Sequence, residues 1–100
     1  MATDTKRISR IMKALANENR LKLYLEIAER QQADFEDNAC AVTSIMCLFN
    51  LSAPTISHHL KELSNADLIT TERRGKFLIA RINPQTVDEV RQVLSVVIGD

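Results

Sequence analysis

A mainly helical single domain carrying one small β-hairpin is what this sequence predicts, and three features predict it. Apolar residues recur at helical spacing along most of the chain. The stretch from Ser52 to Ile69 combines a cap, an early proline and an apolar stripe, as a short amphipathic helix requires. Two β-prone runs, 68–73 and 76–82, flank Arg74-Gly75. At 100 residues the chain can bury one modest core, and oligomerisation often helps domains of this size.

Ile8, Ile11, Met12 and Leu15 define a first amphipathic helix over about 5–16. Asn17 then caps a second, in which Leu21, Leu23, Leu25 and Ile27, with Tyr24 and Ala28, form a broad apolar surface as far as about Arg30. Residues 31–38 lack periodicity and read as a connection. A third helix is expected over 42–49, with Val42, Ile45, Met46 and Phe49 inward.

The fourth helix, about 52–66, is the most informative. Ser52 is a good N-cap, and Pro54 sits in the first turn, where a missing N–H costs nothing. Ile56, Leu60 and Leu63 form its core stripe, while Pro54, His58 and Lys61 point the other way, with Thr55, Ser57 and Glu62 at the margins. Small, hydrogen-bonding and singly basic side chains on an exposed face suit base edges and phosphates in a major groove. The hairpin over about 68–82 follows directly, its glycine able to take the positive φ of a tight turn. Asn83 and Pro84 start a last helix, about 84–98, with Val87, Val90, Leu94 and Val97 in a three-four-three spacing. Five helices plus a two-stranded, basic-tipped wing is the order of a winged helix-turn-helix.

At this point the chain resembles a known family. Ser52-x-Pro54-Thr55-Ile56-Ser57-x-His59-Leu60-x-x-Leu63 and Arg74-Gly75-Lys76-Phe77 are similar to the ArsR/SmtB transcriptional repressors, and Ala14-Leu15-Ala16-Asn17-Glu18-Asn19-Arg20-Leu21 matches that family's usual start of the second helix. The resemblance covers nearly the whole chain. It implies a DNA-binding repressor with Ala53, Pro54, Thr55, Ser57 and His58 facing the groove, and Lys61 beside them. His59 is expected nearer the core flank, as a packing and hydrogen-bonding residue.

Formal net charge is zero, with 13 basic and 13 acidic residues, so a DNA footprint would have to be local. The hairpin supplies it: Arg73, Arg74, Lys76 and Arg81 stand against Glu72 alone. The wing contacts are expected from Arg73, Arg74 and Lys76.

The two terminal helices each carry an apolar stripe that a domain of this size has little room to bury. A homodimer through Ile8, Ile11, Met12 and Leu15 of the first and Val87, Val90, Leu94 and Val97 of the last would cover them. The resembling family dimerises through these elements, which would set two recognition helices about 34 Å apart on a pseudo-palindromic operator.

Metal sensing is that family's best-known activity, and its ligand patterns are broken here. Where one site type has a thiolate-rich Cys-x-Cys-x-x-Cys run, this chain has Ala41, Thr43 and Met46, with Cys40 and Cys47 each displaced by one residue. Where the other uses Asp and His on the last helix, only Asp88 and Glu89 are present, and soft metals prefer thiolates and imidazoles. No metal or other cofactor is expected. Adjacent His58 and His59 diverge by about 100° and chelate poorly. Cys40 and Cys47 are expected as small buried hydrophobes, with a thiol sensor as the alternative. In one regular helix they would share a face with Cα atoms about 10 Å apart, beyond disulfide reach. Asp34, Glu36 and Asp37 read as a solvated loop.

A catalytic arrangement would have to be assembled from Cys40, Cys47, His58 or His59 without a glycine-rich loop, so an enzyme is not expected. No apolar run reaches membrane-spanning length and the first residues are polar, so the protein is expected in the cytoplasm. The expected partners are double-stranded DNA and a second copy of the chain, with an unknown inducer and no membrane. A winged helix used only for protein contacts is the competing reading.

Overall fold

The computed structural model describes residues 4–33 and 40–99, excepting the side chains of residues 32, 33, 40, 43 and 44. The element order is α1 (Thr5–Leu15), α2 (Glu18–Ala33), β1 (Cys40–Ala41), α3 (Thr43–Met46), α4 (Ala53–Asn65), β2 (Ile69–Arg74), β3 (Phe77–Ile82) and α5 (Pro84–Ile98). Expected residues Asp34, Glu36 and Asp37 lie outside the described residues.

Local signals account for the ends of the long helices. The Asp4 carboxylate accepts from the Arg7 N–H at 3.1 Å and starts α1, and Asn17 Oδ1 accepts from the Arg20 N–H at 3.1 Å and starts α2. Asn83 Oδ1 accepts from the Gln85 N–H at 3.1 Å and starts α5, with Pro84 in its first turn. The second helix extends past Arg30 to Ala33. There Gln31 Oε1 accepts from the Ile82 N–H of β3 at 2.7 Å, a tertiary contact that no helix-end signal could announce.

The third helix is the main local correction. Instead of 42–49 it is the single turn Thr43–Met46, with the Leu48 and Phe49 N–H groups bonded to Ile45 and Met46, a tighter three-residue pattern. The Val42 N–H is turned away to the carbonyl of Leu78 at 2.9 Å. Its apolar stripe nonetheless points inward, with Val42, Ile45 and Phe49 buried and Met46 packed against them. Among the described residues the architecture is therefore four helices of eleven residues or more and one four-residue turn.

Among the described residues the sheet has three strands in the order β1-β3-β2, all antiparallel, rather than the wing's two alone. The pair at Cys40↔Ala80 and Ala41↔Ile79 is too short to leave a period-2 signature, so the sequence hid it. The hairpin closes one residue later than expected. Arg74 pairs with Phe77, and Gly75-Lys76 form the loop with Gly75 at φ +60°, the glycine-first arrangement of a two-residue hairpin turn.

The core lies between the helices and one face of this sheet. Leu23 and Ile27 of α2 belong to one buried cluster with Ile11 from α1, Ile45 from α3, Leu63 from α4 and Ile69 from β2. Leu21 and Leu25 of α2 remain exposed, so its inward surface is narrower than the broad one expected.

The junction after α4 ties three elements together. The Asp67 and Leu68 N–H groups bond back to Ser64 and Leu63, both at 3.0 Å, which is a Schellman termination with Asp67 at φ 60° in the place glycine usually takes. Arg7 of α1 donates to Asp67 at 2.8 Å and to Glu89 of α5 at 2.6 Å, and the fully buried Thr86 hydroxyl donates to the Asp67 carbonyl at 2.5 Å. The two carboxylates, Glu89 foremost, hold the Arg7 guanidinium pKa above its usual range.

Candidate nucleic-acid interface

The polar face of α4 is built by its first turn. The Ser52 hydroxyl accepts from the Thr55 N–H at 3.3 Å, and the two hydroxyls lie 2.8 Å apart. Thr55 is thereby half-buried and engaged in the cap. Ala53, Pro54, Ser57, His58 and Lys61 are exposed on one side, while Ile56, Leu60 and Leu63 are buried on the other. Ser57, Lys61 and Ser64, at helical spacing, also line a cleft of about 240 Å³ against Thr71 and Leu78 of the hairpin. Ser64 and Thr71 are not among the residues that the sequence predicts for this face. Ser64 was readable as one turn beyond Lys61; Thr71 came near only through the hairpin's packing.

The wing carries its charge in a particular arrangement. Arg73, Arg74 and Lys76 are exposed, with the Lys76 ammonium 5.6 Å from the centre of the Phe77 ring. Glu72 bonds to Arg81 and, at 3.1 Å, to Arg74. The hydrogen bond from Arg81, with help from Arg74, keeps the Glu72 carboxyl below the usual carboxylate range. Arg74 thus shares its charge with Glu72, whereas no carboxylate pairs with Arg73 or Lys76 among the described residues.

His59 lies on the core flank and is buried, with its Nδ1 lacking a hydrogen-bond partner among the described residues. Burial, then the charges of Arg20 and His58, push its pKa below the ordinary 6.5. Below about 6.5 the unfolded chain binds a proton that the native state resists, so His59 costs stability as pH falls through that window. Urea midpoints measured above and below that pH should converge in a His59→Leu variant relative to wild type. An identical pH dependence in both proteins would remove His59 as the cause.

The expected dimer residues divide. Ile11 is 1% exposed and Ile8 and Leu15 pack against the same core, so these serve the chain's own interior, while Met12 stays open. Ile11 is therefore a core residue, not one left for a partner. On α5, Val90 packs against the core, but Val87, Leu94 and Val97 are exposed, as are Val96 and Ile98.

The cysteines also depart from expectation. Cys47 is a free, exposed thiol rather than a buried hydrophobe, because the inward positions of this segment are taken by Val42, Ile45 and Phe49. Cys40 is in β1, so the two do not share a helix; its side chain lies outside the described residues. Among the described residues no cluster of three His, Cys, Asp or Glu could hold a metal.

Comparison with known proteins agrees with this geometry. Residues 35–71 match the profile of the bacterial regulatory protein, arsR family. An arsenic resistance transcriptional regulator of Pseudomonas putida is 30% identical over 86 residues, spanning 86% of this chain and 69% of the relative. The arsenical resistance operon repressor of Staphylococcus xylosus is 29% identical over 94 residues, 92% of this chain and 81% of the relative. Among solved structures, an ArsR family transcriptional regulator superposes with a TM-score of 0.77 at 20% identity, covering 95% of this chain and 90% of that one. A homodimeric winged helix-turn-helix DNA-binding domain from Mycobacterium bovis does so with 0.67 at 26% identity, covering 94% and 80%. These relatives are regulators of transcription and not enzymes. With a capped helix followed by a basic hairpin, and with a relative 30% identical across two thirds of its length, this chain belongs to the ArsR family of winged helix-turn-helix transcriptional repressors.

Proposed function

We propose that the protein is a cytoplasmic homodimeric repressor that occupies an inverted-repeat operator near a promoter and excludes polymerase. The observation that carries this reading is α4, which buries Ile56, Leu60 and Leu63 and leaves Pro54, Ser57, His58 and Lys61 in solvent beside a basic wing. α4 enters the major groove, and Arg73, Arg74 and Lys76 meet backbone phosphates or the adjacent minor groove. Exposed Val87, Leu94 and Val97 on α5, with Met12 on α1, form the dimer seam. Among the described residues no helix is long and apolar enough to cross a membrane.

Several relatives are named for arsenic resistance. That ligand does not transfer, because Ala41, Thr43 and Met46 stand where the thiolate run would be. The derepressing signal is therefore a separate question. The exposed Cys47 favours a thiol-responsive repressor as the second reading, which requires Cys40 as well.

Alanine at Ser57 and at His58 tests the groove face. Each should cost about 1–3 kcal/mol of operator binding and relax preference at one base position, with the fold intact by circular dichroism. Unchanged operator affinity in both would place the reading face elsewhere. For the wing, an Arg73→Ala/Lys76→Ala variant should weaken specific and non-specific duplexes alike and flatten the salt dependence by roughly one unit per lost phosphate contact. A wild-type slope would remove the wing from DNA, and no salt-dependent binding in the wild-type protein would favour a protein-contact module.

A further inference from the structure

On the far end of α4 from Ser52, α1, the start of α2 and the last turn of α4 enclose a second cleft, of about 230 Å³. It is lined by Arg10 and Lys13 of α1, Arg20 of α2, and Glu62 and Asn65 of α4, together with the small side chains of Ala14 and Ala66. Arg10 and Lys13 lie one turn apart, so α1 stacks them on one face. Arg20 is half-buried, and its Nε donates to the Ala14 carbonyl at 2.7 Å. That bond anchors the guanidinium at the cleft and leaves its terminal nitrogens as donors.

Three cations therefore share one small concavity, and among the described residues none of them is in an ion pair. Glu62 lines the same cleft without pairing to any of them, so its single charge leaves the site positive. Like charges gathered in this way repel, and an anion seated between them relieves the repulsion while accepting charge-assisted hydrogen bonds. The cleft is smaller than the roughly 300–1,000 Å³ of sites for drug-sized ligands, which limits the occupant to a few heavy atoms beyond its anionic group. The Arg20 charge is also felt at His59, whose imidazole it helps hold neutral.

We propose that this cleft binds a small oxyanionic metabolite, its phosphate or carboxylate held by Arg10, Lys13 and Arg20 and its hydroxyl or amide groups meeting Glu62 and Asn65. The occupant touches the turn in which the Ala66 N–H closes on Glu62, so its presence is registered at the end of α4. The proposal concerns binding in the cleft and stands whether or not α4 reads DNA.

The test is a titration of the isotope-labelled full chain with inorganic phosphate and with pyrophosphate, followed by NMR, with chloride holding the ionic strength constant. Saturable shifts should centre on the amides of Arg10, Lys13, Ala14, Arg20 and Ala66. The Arg10→Gln/Lys13→Gln variant changes two exposed residues and should keep the wild-type spectrum elsewhere, while binding weakens about tenfold or more per lost contact. Unsaturable shifts spread equally over the wing cations Arg73 and Lys76, or unchanged affinity in the double variant, would overturn the site. Duplex DNA supplies the competing source of phosphate. If a duplex shifts these same amides and displaces the free anion, the cleft belongs to the DNA backbone and the small-molecule site is wrong.

Discussion

Leu94→Glu should convert the protein to monomers and lower operator affinity far more than non-specific affinity. Leu94 is 51% exposed on α5, and Val87 and Val97 beside it are also open, so the chain's own core covers little of this stripe. At a twofold seam, each introduced carboxylate would face apolar surface or its symmetry mate without a partner. Two tethered half-sites multiply affinity by effective concentration, worth about 10²–10⁴ when both engage, and a lone winged domain loses that factor but keeps its phosphate contacts. Sedimentation and duplex titration of both proteins would decide it. A wild-type protein that is already monomeric at micromolar concentrations removes the dimer, and with it the inverted-repeat operator.

The second large effect is on stability. Leu63 is fully buried and also supplies the carbonyl that terminates α4 by accepting from Leu68, so Leu63→Ala leaves a cavity where helix, hairpin and core meet. Leu→Ala at such sites costs about 2–5 kcal/mol, a large share of the roughly 5–15 kcal/mol that holds a domain together. The urea midpoint should fall with little change in slope, at matched protein concentration because self-association would contribute to apparent stability. A loss below about 1 kcal/mol would mean that the core collapses around the missing atoms.

Much of α4 was legible because its signals are local. Ser52, Pro54 and the Ile56-Leu60-Leu63 spacing act within one or two helical turns, and each appears in the structure in the expected role. The same holds for Asn17, Asn83 and the positive φ of Gly75. The placing of site residues was less secure. Thr55 faces its own cap as much as any groove, Ile11 is spent on the core, and Cys47 is exposed because Val42, Ile45 and Phe49 take the inward positions around it. Periodicity states which residues share a face, but what covers that face depends on neighbours distant in sequence.

Acting alone, the amino-acid order determined the long helices, their caps, the hairpin and the outward polar face of α4, since these follow from backbone hydrogen bonding and side-chain spacing over a few residues. Tertiary structure decided the rest. β1 exists because β3 offers Cys40 and Ala41 a partner, Gln31 prolongs the second helix by reaching Ile82, and Arg7 joins α1 to Asp67 and Glu89 across more than half the chain. The cleft around Arg10, Lys13 and Arg20 likewise forms only when three helices meet, because a cluster of charge is a property of packing in space.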